Sequence, residues 1–327
     1  MTKRTRYFLA GATAVMVFGL FTGLVAYYGG GLPSLSAAPT GPVEMSYVPA
    51  DAAVVAYANV RDVMTSQFRE RFREALPEQN EGRDELLRET GIDVERDIDH
   101  VVACMIPTEG KQGGLVVARG RFNTTQLETL AREHGAVVEE YRGKRLLVGT
   151  MPHGDGSHGQ PTLAFMETGL VAIGDDTSIR RSIDAQMSGQ SVMSNDELMK
   201  LVGDIDTGAN AWAVGRVDVL AQQADLPDEV SRQIPALKWF AATGRINGGF
   251  TGTLRAEARD EEAAENLRDV VRGLFALAKM QAGSDPRVAA LVQTLQLSGT
   301  GTTVTLSFTV PNEVIDLLGQ ARKSGIQ

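Results

Sequence analysis

Residues 153–159 are the part of the chain where residue types and spacing come nearest to a chemical site. His153, Asp155 and His158 are residue types that bind divalent metals, and the glycines among them match the Gly-x-Gly-x-x-Gly spacing of a dinucleotide loop. Such a loop leads from a strand into a helix, whereas here Pro161 and a strand pattern follow. A fourth ligand is also lacking nearby. The segment is therefore expected to be a mobile hairpin loop without a metal or cofactor.

The remaining candidate residues do not form a recognisable catalytic motif. Cys104 stands in an apolar strand and is expected to be a small buried hydrophobe. Neither His100 nor His134 has an adjacent motif of the serine hydrolase type, and Gly215 occupies the position where a calcium loop needs a bidentate Glu. Gly-x-Ser-x-Gly, Ser-x-x-Lys, His-Glu-x-x-His and Walker patterns are absent from the sequence. The sequence thus predicts a protein that is not an enzyme, without catalytic residues, metal ligands or cofactor.

The strongest pattern is an N-terminal membrane span. Residues 7–28 form a run of 22 residues without a charged side chain. As a helix this run is about 33 Å long, enough to cross a hydrocarbon core of about 30 Å. Its length favours an uncleaved anchor over a signal peptide, although residues 36–38 resemble a cleavage site. Gly19 and Gly23 have the four-residue spacing that lets a second transmembrane helix pack closely.

Charge sets the expected orientation of this span. Basic residues precede it, which predicts a cytoplasmic tail at residues 1–6 and export of everything after residue 28. Of the net charge of −9, the tail carries +3, so the exported part carries −9 − 3 = −12. This acidity argues against nucleic acid as a partner, because phosphate binding depends on Lys and Arg. In a bacterium, the protein is expected in the inner membrane with its main domain in the periplasm.

The exported part divides into a linker and two units in the prediction. Residues 29–44 are rich in Gly, Pro and Ser and predict the linker. A first unit over 45–203 and a second over 204–327 follow, since a strand, a helix, a hairpin, a helix and strands recur in each. The strand at 211–219 resembles the one at 56–63. The predicted fold class is α+β, two similar units of antiparallel sheet with helices on one side.

One helix of the second unit has a broad apolar face. The pattern over residues 261–283 predicts a helix of about 35 Å. Its apolar side chains recur at helical spacing from Leu267 to Ala278. Burial against the sheet and an exposed groove for a partner are both consistent with this face.

Two short motifs carry a resemblance to other proteins. They are Val48-Pro-Ala-Asp51 before an apolar strand, and Leu170-Val-Ala-Ile-Gly-Asp175 followed by Ile179-Arg-Arg181. The chain resembles a group of uncharacterised bacterial single-pass membrane proteins with an exported α+β domain. The resemblance implies location and architecture only.

The predicted function follows from the predicted membrane anchor and from the absence of a recognisable catalytic motif in the sequence. We expect a non-catalytic accessory or structural subunit of an integral membrane protein complex, for which an electron-transfer or photosynthetic assembly is one host. Its contact with membrane lipid is through the N-terminal span. The alternative is a periplasmic module that binds a lipid or small molecule between sheet and helices. A filled core with an exposed apolar patch favours the subunit, and a large apolar cavity favours the ligand module.

Overall fold

The computed structural model describes residues 41–75, 87, 91–108, 111–149, 161–206, 208–217, 236–246, 249–282 and 292–311. Of these, 41–64 and 87–204 belong to a first compact unit, and 65–75 and 205–311 to a second. Across these ranges, the structure contains no helix with the length and apolarity that a bilayer crossing requires. The predicted span at residues 7–28, with Gly19 and Gly23, lies outside the described residues.

The helices of the two units are short apart from one. In chain order they are α1 (Val60–Met64), α2 (Gln67–Ala75), α3 (Val94–Asp97), α4 (Thr124–Glu133), α5 (Asp176–Ser188), α6 (Asp196–Gly203) and α7 (Glu261–Ala282). Polar side chains cap two of these helices: Asn123 Oδ1 accepts a hydrogen bond from the Gln126 amide at 3.1 Å, and Asp175 Oδ1 accepts one from the Ser178 amide at 2.9 Å. Each side chain satisfies an amide that the first helical turn leaves unpaired.

The first unit contains a mixed α+β architecture with an antiparallel sheet. Its strands are β1 (Val54–Ala58), β2 (Ile98–Thr108), β3 (Lys111–Gly120), β4 (Val137–Tyr141), β5 (Lys144–Val148), β6 (Pro161–Glu167) and β7 (Leu170–Asp175). They lie in the order β1-β2-β3-β7-β6-β5-β4, each antiparallel to its neighbours. Strands β6 and β7 form a hairpin, because Gly169 adopts a positive φ of 72° and turns the chain back.

Helices pack on both faces of this sheet. On one face, α5 contacts β4 through Arg180, which lies 2.6 Å from Glu139. On the other face, α4 contacts β5 through Glu128, which lies 2.7 Å from Arg145. Glu139 is paired with Leu146, so these two side chains point to the same face of the sheet. Arg145 is next to Leu146 in β5 and therefore points to the opposite face. The expectation of helices on one side therefore does not hold for the first unit, whose strands are apolar on both faces.

The second unit contains a smaller antiparallel sheet and the longest helix. Its strands are β8 (Ala211–Arg216), β9 (Leu237–Ile246), β10 (Gly249–Ala258), β11 (Gln296–Ser298) and β12 (Thr303–Pro311), in the order β11-β12-β10-β9-β8. Helix α7 packs beside β10 and β12, where Ala258, Ala264 and Val304 form a small buried cluster. Asp260 Oδ1 accepts a hydrogen bond from the Ala263 amide at 2.8 Å and caps this helix as its sequence predicts.

Candidate functional site

The first described residues after the predicted linker are fixed firmly to the first unit. We call residues 43–53 the leading segment. It begins with a 3-10 turn, Val43–Tyr47, and then becomes extended at Val48, because the following Pro49 disfavours helical geometry in the residue before it. Met45, Tyr47 and Val48 are almost fully buried. The segment is therefore part of the core and not a continuation of the linker.

Hydrogen bonds from distant parts of the chain hold the backbone of the leading segment. Ser182 Oγ on α5 donates to the Tyr47 carbonyl at 2.7 Å. The Val192 amide donates to the Val48 carbonyl at 2.7 Å, and Asn195 Nδ2 donates to the Ala50 carbonyl at 2.9 Å. These three donors follow the leading segment by more than 130 residues in the sequence. They clamp it at successive points to α5 and to residues 192–195.

A buried carboxylate lies at the start of this segment. Glu44 is only 3% exposed, and its side chain accepts a hydrogen bond from Arg119 Nε. His100 Nε2 lies 3.0 Å from Glu44 Oε2 as an ion-pair contact. Burial alone would raise the pKa of Glu44, but the contacts with His100 and Arg119 outweigh burial and lower the pKa to about 2. Glu44 is therefore charged at neutral pH.

Tyr47 and Glu167 complete the group, which we call the Glu44 cluster: Glu44, Tyr47, His100, Arg119 and Glu167. The Tyr47 hydroxyl donates to Glu167 Oε1 at 2.7 Å, and Arg119 Nη2 lies 3.9 Å from Glu167 Oε2. Burial raises the pKa of Tyr47, and the bond to Glu167 raises it further. The phenol therefore remains a hydrogen-bond donor.

Two β-bulges place the cluster on a single face of the sheet. His100 is directly opposite Arg119, and Arg119 is opposite Leu170. Glu167 also pairs with Leu170, after a register shift between Phe165 and Glu167, and a second shift precedes His100. Because directly opposed residues point to the same face, these shifts bring His100 and Glu167 beside Arg119.

The chemistry of the Glu44 cluster is that of a structural lock. A carboxylate beside a histidine could orient the imidazole toward a nucleophile, as in hydrolytic triads. The Tyr57 ring lies 5.8 Å from the His100 ring, and burial raises the pKa of this tyrosine to about 12. Cys104 is also buried, and burial raises the pKa of its thiol. Both groups stay protonated at neutral pH, and the contacts of the cluster join the leading segment to the sheet.

The two motifs that carry the family resemblance meet beside the leading segment. Arg181 Nη2 donates to both carboxylate oxygens of Asp51, at 2.5 and 2.7 Å, and Arg181 Nη1 donates to the Pro107 carbonyl at 2.8 Å. Asp175, from the second motif, caps the helix that carries Arg181. Sequence patterns pointed to these residues but not to their contact, because Asp51 and Arg181 are 130 positions apart.

A row of apolar side chains crosses the opposite face of the same sheet. Ala103, Val116, Ile173 and Leu163 are successive cross-strand neighbours on β2, β3, β7 and β6, and we call them the apolar row. Val116 is 39% exposed and Ile173 is 48% exposed. The row was missed in the sequence. Its signal was present, since residues 115–117 and 170–173 are apolar at every position, a pattern typical of strands covered on both faces.

The residues singled out in the sequence do not gather at one site. Cys104 is buried, as expected, and His134 Nδ1 contacts the Leu130 carbonyl at 2.9 Å at the end of α4. His153, Asp155 and His158 lie outside the described residues. Within the described ranges, His, Cys, Asp and Glu side chains do not form a group of three that could hold a metal ion.

Comparison with known proteins gives only distant structural neighbours. No protein-family model matches the chain, and no curated protein matches it in sequence. The chain is similar to crystal form I of TP0453, with a TM-score of 0.47 and 10% identity over 86% of this chain and 98% of that chain. Crystal form IV of TP0453 gives a TM-score of 0.45 and 9% identity over 84% and 96%.

Proposed function

We propose that the protein is a non-catalytic, membrane-anchored accessory subunit of an inner-membrane complex, with its α+β part in the periplasm. The observation that carries this proposal is the apolar row. Val116 and Ile173 are exposed neighbours on adjacent strands, and Leu115 and Val117, which point to the other face of the sheet, are buried. An apolar patch on the rigid surface of a sheet is typical of a protein contact site, because its burial releases water without the cost of ordering a loop.

The leading segment supports an anchored role. In the proposed topology the span at residues 7–28 and the linker precede it directly. Ser182, Asn195 and the Glu44 cluster fasten this segment to the sheet and to α5. A domain held to a membrane through a linker needs such a fixed attachment, since otherwise the first strands would fray under tension.

The finer details of the architecture belong to the same proposal. They are a transmembrane helix at residues 7–28 with a cytoplasmic N-terminus, and an exported part that arose from two similar units. The first three strands of each unit support a duplication, because β1, β2 and β3 are adjacent in sequence order, as β8, β9 and β10 are. A reporter that is active only in the periplasm, fused after Gln327, should be active if this topology is right. A mature N-terminus at residue 39 would contradict the anchor.

The test of the partner contact is a charge introduced into the apolar row. The double variant Val116→Lys with Ile173→Lys should reduce co-purification of membrane proteins in mild detergent by about tenfold or more, because two buried charges would lack partners. Val137→Lys is the matched control: Val137 is also an exposed valine on a strand, but it lies outside the row. Equal recovery of the same partners by the double variant and by the control would contradict the proposal.

A second pair of changes asks whether the span itself contacts the complex. Gly19→Ile with Gly23→Ile would hold apart two transmembrane helices that approach closely at glycine. We expect weaker association with the complex and an unchanged exported domain. Recovery at the wild-type yield would mean that the span serves as a tether only, and recognition would then rest on the exported part.

A further inference from the structure

Charge is unevenly distributed along α7, the long helix of the second unit. Its first twelve residues, 261–272, carry six charged side chains, four of them acidic. The next ten residues, 273–282, carry one charge, that of Lys279. The helix is thus acidic and polar at its start, and apolar with a single cation at its end. We call residues 273–280 the apolar end of α7.

The start of the helix is fixed to the sheet of its own unit. Ala264 is fully buried against Ala258 and Val304. Arg268 Nη2 donates to the carbonyls of Gly301 and Thr303 at 2.8 and 3.0 Å. These contacts hold the first two turns of the helix to the sheet.

Exposure increases along the apolar end. Leu274 is 48% exposed, Leu277 is 55% exposed and Met280 is 79% exposed. Gly273 and Ala276 on the same part of the helix are exposed as well. Large apolar side chains that become steadily more exposed toward a helix end are unfavourable in water, which indicates that something covers them.

The size of the apolar end decides against a second copy of this chain. Eight residues of helix span about 12 Å, and only three of the exposed side chains are large and apolar. A dimer of this chain that rested on this surface alone would need about 800 Å² from each copy, far more than the apolar end offers. A lipid surface has no such minimum, because a few apolar side chains can enter it while the rest of the domain remains in water.

The charge of the apolar end fits an anionic bilayer. Lys279 is its only charged residue, and the acidic residues of α7 lie about three to five turns away from it. A lysine can extend its ammonium to lipid phosphates while its methylene stem stays among apolar groups. We propose that the apolar end of α7 enters the headgroup and acyl boundary of an anionic membrane, an inference that rests on the membrane anchoring proposed above.

The test uses a spin label at the most exposed position. In the full-length chain, Met280→Cys is labelled at its thiol and the protein is placed in vesicles of phosphatidylethanolamine and phosphatidylglycerol. Cys104 is buried and burial raises the pKa of its thiol, so it should not react, and the unaltered chain measures that background. Glu262→Cys is the matched control, since Glu262 is exposed on the charged part of the same helix.

We expect the label at residue 280 to lose collisions with a water-soluble nickel chelate and to gain collisions with oxygen, which concentrates in lipid. The label at residue 262 should stay accessible to the chelate. Access of the chelate to residue 280, or loss of both collision partners as in a protein contact, would overturn the inference. Equal protection in phosphatidylcholine vesicles would overturn the part that requires anionic lipid.

A separate measurement keeps the two proposals distinguishable. Carbonate extraction of the same vesicles shows whether the chain is anchored. A chain that resists extraction while residue 280 remains open to the chelate keeps its anchor and loses the lipid contact of α7. A chain that is extracted has lost the proposed anchor, and the spin label still decides whether α7 binds lipid.

Discussion

The two units differ in the size of the side chains that they bury. Among the described residues, the largest fully buried side chains all lie in the first unit and include Ile106, Leu170 and Ile179. One buried cluster of the second unit consists of Ala258, Ala264 and Val304, and Val214 and Ala242 are also buried there. Apolar burial stabilises in proportion to the area removed from water, so the first unit gains more from each buried position. A similar antiparallel start thus leads, among the described residues, to larger fully buried side chains in the first unit than in the second.

Strand order extends the comparison. After the three adjacent strands, β3 is followed in the sheet by β7 and β6, and β10 by β12 and β11. By position, β12 is therefore comparable to β7. The first unit contains an additional hairpin, β4–β5, at the far edge of its sheet, which a comparison of strand patterns alone could not place.

The largest effect is expected from a cavity in the first unit. Leu170→Ala should lower the free energy of unfolding of that unit by about 2–5 kcal/mol, because a fully buried leucine leaves a cavity that its neighbours fill only in part. Leu277→Ala on α7 is the matched control in the second unit. It should change the free energy of unfolding of that unit by less than about 0.5 kcal/mol, since this leucine is largely exposed. Hydrogen exchange read by mass spectrometry reports each unit separately. Equal losses in both variants would remove the contrast between the units.

The next effect concerns the Glu44 cluster. Glu44→Gln should cost about 3 kcal/mol at neutral pH, because the change leaves the charge of Arg119 without its buried carboxylate. The pKa of Glu44 is lowered from 4.5 to about 2, so its charge stabilises the folded state above pH 4.5. This contribution is lost as the pH falls from 4.5 to about 2.

The pH dependence separates the cluster from a surface ion pair. Denaturant unfolding of the natural chain should show a loss of about 3 kcal/mol over that pH window, at about 1.4 kcal/mol per pKa unit, and Glu44→Gln should lack it. Glu128→Gln is the control, since Glu128 contacts Arg132 and Arg145 but lies at the surface, where water screens the charges. A natural chain and a Glu44→Gln variant with parallel pH profiles would show that the cluster does not lock the leading segment.

Local signals in the sequence predicted most elements, and long-range contacts account for what was missed. The caps at Asn123, Asp175 and Asp260 involve residues three positions apart, so their chemistry is visible in the sequence. The Glu44 cluster joins residues 75 positions apart and depends on two register shifts. A single sequence contains no sign of which strand will shift, because a β-bulge is decided by packing across the sheet. The apolar row could have been found, since its strands are apolar at successive positions.

Helix caps offer a smaller and more closely matched comparison of the two units. Asp175→Ala should destabilise by about 1–2 kcal/mol, because Asp175 accepts bonds from both the amide and the hydroxyl of Ser178. Asp260→Ala should cost about 1 kcal/mol, since this cap holds the Ala263 amide at an exposed helix start. Thermal unfolding followed by hydrogen exchange would measure both. A larger loss of stability for Asp260→Ala than for Asp175→Ala would contradict this prediction.

The smallest expected effect is a gain in the second unit. Gly273 lies inside α7, and a Cβ added there would meet no atom within 4 Å. Gly273→Ala should therefore stabilise the second unit by about 0.5–1 kcal/mol, because alanine loses less backbone freedom on folding than glycine does. Gly252→Ala on β10 is the control with the opposite sign, since a Cβ there would meet the Phe308 ring at 2.3 Å.

The pair of glycine variants also tests how α7 is held. The contacts of Ala264 and Arg268 support α7 at its start. If they are its main support, a change that favours helix stabilises the other end of α7. The Gly273→Ala variant should then slow hydrogen exchange most over residues 273–282. A Gly273→Ala variant that exchanges faster than the natural chain would show that glycine is needed there for close contact with another surface. That result would argue for a partner helix at the apolar end, where the lipid contact requires only that the side chains be apolar.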